Sequence, residues 1–190
     1  GLVEREDRLK GVDAGCDDFL TKPVDFEQLK VRTRNLLRTK ALIDDLETAE
    51  NVLVSLVKAL EVKDPYTRGH SERVSNLAEA LGGAVGLGAQ ERRNLKRAGL
   101  LHDIGKIGIP LDYLRKPGKL TTEEYETVKQ HPSIGFDICK PLRTMAPLIG
   151  LIRGHHEQLS GRGYPDGLKG EQIPLPLRCL TIADVYDALT

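Results

Sequence analysis

The sequence predicts a mainly α-helical protein, and three observations carry that expectation. Beyond Leu60 the apolar residues recur at helical spacing, broken by short polar or Gly/Pro-rich connections. No alternating apolar and polar run marks a strand after that point. Thr121 followed by Glu124 is a capping box, the local chemistry that starts a helix over "TEEYETVKQH".

The first 38 residues read differently. "RLKGVDAGCDD" is a short amphipathic helix running into Gly15, "FLTKP" is a brief strand ended by Pro23, and "VDFEQLKVRTRNLLRTK" is helical with apolar Val24, Leu29, Leu36 and Leu37. One strand between two helices is too little to bury both faces of a sheet edge. From Thr39 to Leu60 the helical pattern continues without Gly or Pro. Leu29, Leu36 and Ile43 are spaced by seven, and Leu46, Leu53 and Leu60 repeat the spacing with a shift of three. Such a stripe either zips two subunits together, the shift acting as a stutter, or packs the helix on its own domain. Further loops are expected at "KDPYTRGH", "IPLDYLRKPGKL", "KPLRTMAP" and "LSGRGYPDGLKGEQIPLP", with no internal repeat.

Composition narrows the function classes. The hydrophobic fraction of 39% in 190 residues is enough for a core. Twenty-eight Lys and Arg balance 28 Asp and Glu, so no net field recommends nucleic acid or an anionic membrane as partner. Cys16, Cys139 and Cys179 are far apart and form no CxxC pair. That argues against disulfides and thiolate zinc, and fits a reducing, cytoplasmic setting. No apolar stretch approaches the roughly 18 residues of a membrane span, and the N-terminus lacks a signal-peptide layout.

The chemistry lies in "LLHDIGKIGIP", residues 100 to 110, where a histidine, an aspartate and a lysine sit among leucine, isoleucine and glycine. Buried ionisable groups cost several kcal/mol unless something pairs with them, and a metal ion is such a partner. All five histidines, His70, His102, His131, His155 and His156, lie beside small or apolar residues. Adjacent His102 and Asp103 can point toward two neighbouring cations, the aspartate bridging them. His155 and His156 form a second adjacent pair, and Asp184 heads an apolar stretch where a short acid either ligates or caps. Imidazole with carboxylate and no thiolate suits iron, manganese, nickel or zinc at five or six coordination. One cation cannot use all seven groups. Two cations roughly 3.5 to 4 Å apart can, and such a pair suits attack on phosphorus.

"HSERV", "LLHDIGKIGIP", "LRKPGKLTTEEYETVKQHPSIG", "IRGHHEQLSGRGYPDGLKGEQIPL" and "IADVYDALT" resemble, in order and spacing, the HD-GYP family of cyclic di-GMP phosphodiesterases, a branch of the HD metal-dependent phosphohydrolases. "GRGYP", residues 161 to 165, carries the GYP of that name. The opening 38 residues resemble the last third of a response-regulator receiver domain, with Lys22 and Pro23 matching its Lys-Pro. Together they imply an all-helical HD-type domain over 50–190, a helical linker over 39–49, and the C-terminal α/β portion of a receiver over 1–38. The receiver family's phosphoacceptor aspartate lies earlier, and this stretch has no counterpart for it.

The resemblance implies that His70, His102, Asp103, His131, His155, His156 and Asp184 hold two divalent metal ions, iron or manganese first, nickel or zinc otherwise. Members with a third metal use a glutamate four residues before the first histidine, and here that position is Tyr66. Lys106 from spacing alone is a lysine that snorkels to solvent; the resemblance implies instead that it meets the scissile phosphate, with Asp103 and Lys106 as the catalytic pair. "SGRGYPDG" is by itself a connecting turn. In the family it lies beside the active site and is a proposed contact surface for partner proteins, so Arg162, Gly163 and Tyr164 become candidates for phosphate binding or guanine stacking.

An arginine about nine residues past the last metal aspartate contacts substrate phosphate in the family, while this sequence stops at Thr190. The expectation is a piece of a longer response regulator, cut at both ends and lacking its closing helices, acted on by an upstream histidine kinase. Its reaction would give pGpG, or GMP after a second cut. Two rival readings stand beside it: an HD phosphohydrolase acting on another cyclic or linear nucleotide, and a non-catalytic module that binds nucleotide or a partner protein.

Overall fold

The structure is a computed structural model that describes residues 9–16, 18–20, 22–63 and 68–190, with the side chains of positions 46, 47 and 63 also outside the description. It divides into two compact units, Gly1–Glu47 and Thr48–Thr190.

In the first unit residues 9–13 are helical and end in a turn at Gly15. The expected strand at "FLTKP" does not form: residues 18–20 have no regular structure, 22–23 bend, and residue 21 lies outside the described residues. A strand is stable only against a paired neighbour, and no named strand exists among the described residues. Arg32 fills that role here, donating to the Phe19 carbonyl at 2.8 Å and pairing with Asp18.

Helix α1 spans Phe26–Lys63. Asp25 starts it, its Oδ1 accepting from the Glu27 backbone at 2.9 Å, and no Gly or Pro interrupts it. Toward its C-terminal end Val57 is buried, with Leu53 and Val54 packed beside it against Leu101, Ile104, Met145, Leu148 and Ile152. This end therefore packs on its own domain, the second of the two readings of the stripe. Leu36 and Ile43 are exposed.

The second unit continues through α2 His70–Ala84, α3 Ala89–Leu101, a 3-10 turn Ile104–Gly108, α4 Leu111–Leu114, α5 Thr122–Val128, α6 His131–Cys139, α7 Ile149–Gly154 and α8 Leu175–Leu189. Helix α5 begins at the capping box: Glu124 N–H donates to Thr121 Oγ1 at 3.2 Å and Thr121 N–H donates to Glu124 Oε2 at 2.7 Å. One apolar core joins Val74 and Ala78 of α2, Leu95 and Ala98 of α3, and Leu177, Leu180 and Ala183 of α8. The other packs the 3-10 turn against α6 and α7. Gly105 permits that contact, since a Cβ there would stand 1.9 Å from the His131 carbonyl oxygen. Backbone meeting backbone at this point sets residues 102 and 103 beside His131.

Candidate metal centre

His102 and Asp103 sit where α3 ends and the chain tightens into the 3-10 turn, at the junction of both cores. His70 begins α2, His131 begins α6, His155 and His156 follow α7, and Asp184 projects from α8. The structure brings all seven expected residues together. His102 and His155 are fully buried, and the other five are buried except half-buried His156.

Asp103 stands between two groups of imidazoles. Its Oδ1 lies 3.3 Å from His131 Nε2 and 3.9 Å from His155 Nε2, and its Oδ2 lies 3.4 Å from His102 Nε2 and 3.9 Å from His70 Nε2. Asp184 closes the second group, Oδ1 being 3.2 Å from His70 Nε2 and 3.6 Å from His102 Nε2, with Oδ2 3.8 Å from His156 Nδ1. Three overlapping sets of ligand atoms, each within 4.8 Å of one another, could hold a cation: His70, His102, Asp184; His131, His155, His156; and His102, Asp103, His155.

The donor chemistry fits cations. Nδ1 of His102, His131 and His155 donates to the carbonyls of Gly99, Val128 and Ile152, at 2.8, 2.7 and 2.7 Å. That fixes the proton on Nδ1 and leaves a lone pair on each Nε2 of the neutral ring, the arrangement of a metal-binding histidine. His102 Nε2 is buried without a hydrogen bond. His131 and His155 aim their Nε2 atoms at each other across 3.2 Å. Two lone pairs at that distance repel unless positive charge lies near them.

The protonation pattern follows. Burial pushes the His155 pKa well below the usual imidazole range, helped by neighbouring His156, and pushes His156 down to about 4, helped by His131. Burial also opposes charge on His102 and His70, but Asp103 and Asp184 outweigh it, raising His102 to about 9 and His70 above its ordinary value. Burial opposes ionisation of Asp103 and Asp184 too; Lys106 and His102 overcome it at Asp103, and His102 and His70 at Asp184, so both stay carboxylates.

Lys106 Nζ lies 2.6 Å from Asp103 Oδ2. The 3-10 turn explains the contact, because three residues per turn eclipse positions i and i+3. His70, Asp103, Lys106, His156, Asp184 and Asp187 face an open pocket of about 470 Å³.

The "GRGYP" loop covers the His156 side. Tyr164 N–H donates to the His156 carbonyl at 3.3 Å, and its ring centroid is 4.8 Å from that of His156. Lys129 Nζ stands 5.5 Å from the Tyr164 ring centre. Gly163 packs on the backbone of residues 156–158, where a Cβ would lie 2.3 Å from Gln158 N. Arg162 is exposed, its backbone N–H donating to Ser160 Oγ.

Sequence reasoning missed residues that hold this site, Asp187 and Glu157 among them. Asp187 Oδ2 is 2.7 Å from His70 Nδ1, and Arg73 grips the same carboxylate at 2.6 and 3.0 Å. Buried Glu157 accepts from the backbone of Asp166, Gly167 and Leu168 at 2.7, 3.1 and 2.8 Å and so shapes the loop. The spacing held a signal for Asp187: it is three residues after Asp184 on one helix face.

A family model for the HD domain matches residues 55–190. The chain belongs to the HD domain family. The chain that carries this HD domain is 37% identical to the cyclic di-GMP phosphodiesterase response regulator RpfG of Xanthomonas campestris, in an alignment covering 96% of this chain and 54% of that protein. It is 40% identical to the 3'3'-cGAMP-specific phosphodiesterase 3 of Vibrio cholerae, over 74% of this chain and 31% of that protein. The chain thus spans about half the length of the first relative and less of the second. The crystal structure of the HD domain of the L. monocytogenes phosphodiesterase PgpH superposes with a TM-score of 0.53 at 21% identity, over 70% of this chain and 72% of that one, which shows the shared helical fold. Among the described residues no helix is long and apolar enough to cross a membrane.

Proposed function

We propose that this HD domain is a metal-dependent phosphodiesterase that opens cyclic di-GMP to pGpG, with GMP as the product of a second cut. The single observation that carries the reading is Asp103, whose two oxygens face two separate sets of histidines. His70, His102, Asp184 and Asp103 Oδ2 would hold one divalent cation. His131, His155, His156 and Asp103 Oδ1 would hold the other. Iron or manganese suits this imidazole and carboxylate set first, nickel or zinc next. When bound, the pair supplies Lewis acidity at phosphorus and lowers the pKa of water.

The chain's own residues do the rest. Their carbonyl-bound Nδ1 atoms keep three histidines in one tautomer, and the apolar cores behind them exclude water. Lys106, beside Asp103 at the pocket, is placed to offset negative charge growing on a phosphate oxygen. Tyr164 supplies an aromatic face beside His156 for a guanine, with Gly163 holding the loop close and exposed Arg162 available to phosphate.

Its similarity to a response regulator supports reading residues 1–38 as the end of a receiver domain, 39–49 as a linker and 50–190 as the catalytic domain, in a cytoplasmic protein driven by a histidine kinase. Exposed Leu36 and Ile43 on α1 support a homodimer formed through that helix. The "GRGYP" loop is the candidate contact for other proteins.

One observation favours a second substrate, the 40% identity to a relative named for 3'3'-cGAMP. Turnover of a panel containing cyclic di-GMP, 3'3'-cGAMP and linear dinucleotides, with metal content measured on the same sample, tests the proposal. Cyclic di-GMP turnover lost in Asp103→Ala upholds it; equal turnover by that variant, or a protein without stoichiometric metal, ends it.

A further inference from the structure

His70 differs from the other buried histidines in how it is held. His102, His131 and His155 each bond the carbonyl three residues earlier in their own chain segment. His70 is the first residue of α2, and Gly69 before it is left-handed at φ 71 with no side chain to cap the helix. Its placement therefore comes from other elements. Asp187 of α8 fixes the ring.

Glu61, near the end of α1, fixes the backbone. Its Oε2 accepts from Gly69 N–H at 3.0 Å and its Oε1 accepts from Ser71 N–H at 2.7 Å, so the two bonds bracket His70. A carboxylate here takes the place of the missing cap, and negative charge is favourable at the N-terminus of a 15-residue helix. The turns that carry Glu61 are anchored too. Val57, one turn earlier, is 2% exposed in the core, and Glu50 on the same helix makes a bidentate pair with Arg97 at 2.7 Å. Val57, Leu60 and Glu61 also line a small cavity with Asp103 and Lys106.

We infer that Glu61 is a positioning residue for His70, through which the last turns of α1 set the affinity of the cation site made by His70, His102 and Asp184. A shift of those turns moves one ligand of that site. Among the described residues, no hydrogen bond of this kind runs from α1 to His131, His155 or His156, so the two cation sites respond unequally. This rests on the metal reading given above and adds to it a route by which α1 reaches the centre.

Cobalt(II) titration of the chain, followed by ligand-field absorption and calorimetry, tests the inference without any turnover assay. Glu61→Ala is expected to weaken one of the two Co²⁺ sites about tenfold or more and leave the other within about twofold, the scale of losing a group that orients a ligand. Glu61→Gln keeps one carbonyl oxygen and is expected to fall between; it decides the matter if the alanine variant does not fold. His131→Ala is expected to weaken the opposite site. Unchanged affinities in both Glu61 variants, or two affinities falling in parallel with the melting temperature, would overturn the inference. A wild-type chain taking up fewer than two Co²⁺ would instead overturn the metal reading, and shows itself before any variant is made.

Discussion

His131 Nε2 and His155 Nε2 stand 3.2 Å apart while both rings commit Nδ1–H to backbone carbonyls. Neither nitrogen can donate to the other when both rings are neutral. With both rings neutral the two Nε2 lone pairs oppose each other, and a cation or a proton between them relieves the repulsion.

Metal removal is accordingly expected to destabilise the protein. A cation present at 100 times its dissociation constant contributes about 2.7 kcal/mol, which corresponds to a fall of roughly 5 to 10 °C in Tm on stripping a domain of this size. Thermal melts with and without a chelator, followed by Mn²⁺ return, check this. A chelator-insensitive melt of protein shown to contain metal would contradict it.

Metal uptake should also release protons. The carboxylates of Asp103 and Asp184 push His102 up to about 9, so it carries a proton at neutral pH that a cation must displace, and His70 is raised in the same direction. Below those pKa values protons compete, so affinity falls as pH falls; above about 9 the competition at His102 ends. Burial keeps His155 and His156 neutral, His156 down to about 4, and they add little to this dependence near neutrality. Titration of Mn²⁺ into weakly buffered protein with an indicator dye reads the release directly, and no acidification at pH 7.5 would count against the assignment.

Asp187→Asn keeps the size of the side chain and removes the charge that steadies the His70 ring and Arg73. Metal affinity is expected to drop about 10- to 100-fold, the usual cost of losing a carboxylate behind a ligating histidine. Competition with a fluorescent chelator measures it.

Much of this was legible from residue spacing. The "LLHDIGK" segment announced buried ionisable groups, and the capping box at Thr121 marked a helix start that the structure contains. Two features were not legible. The 3-10 tightening after His102 depends on Gly105 meeting the backbone of α6, a contact between segments some 26 positions apart that no local pattern encodes. The strand expected at "FLTKP" failed for the matching reason: propensity suggests a strand, but only a neighbouring edge makes one. Asp187 and Glu157 were overlooked because each acts through another residue, and sequence shows chemistry more readily than support.

Glu157 gives that support a measurable size. Glu157→Ala leaves three backbone N–H groups of residues 166–168 without their acceptor. A loss of about 2 to 4 kcal/mol in denaturant unfolding is expected, with Glu157→Gln milder because its amide oxygen still accepts. Gly163→Ala is expected to disturb the same loop, since its Cβ would meet Gln158 N at 2.3 Å. The check is quenching of Tyr164 fluorescence in variants that also carry Tyr66, Tyr113, Tyr125 and Tyr186 as Phe, together with the unfolding midpoint.

The most direct measurement is anomalous diffraction from crystals grown with Mn²⁺. Two peaks about 3.5 to 4 Å apart are expected, one against His70, His102 and Asp184, the other against His131, His155 and His156, with one oxygen of Asp103 turned to each. A single peak, or an Asp103 carboxylate bound to neither cation, would contradict the account.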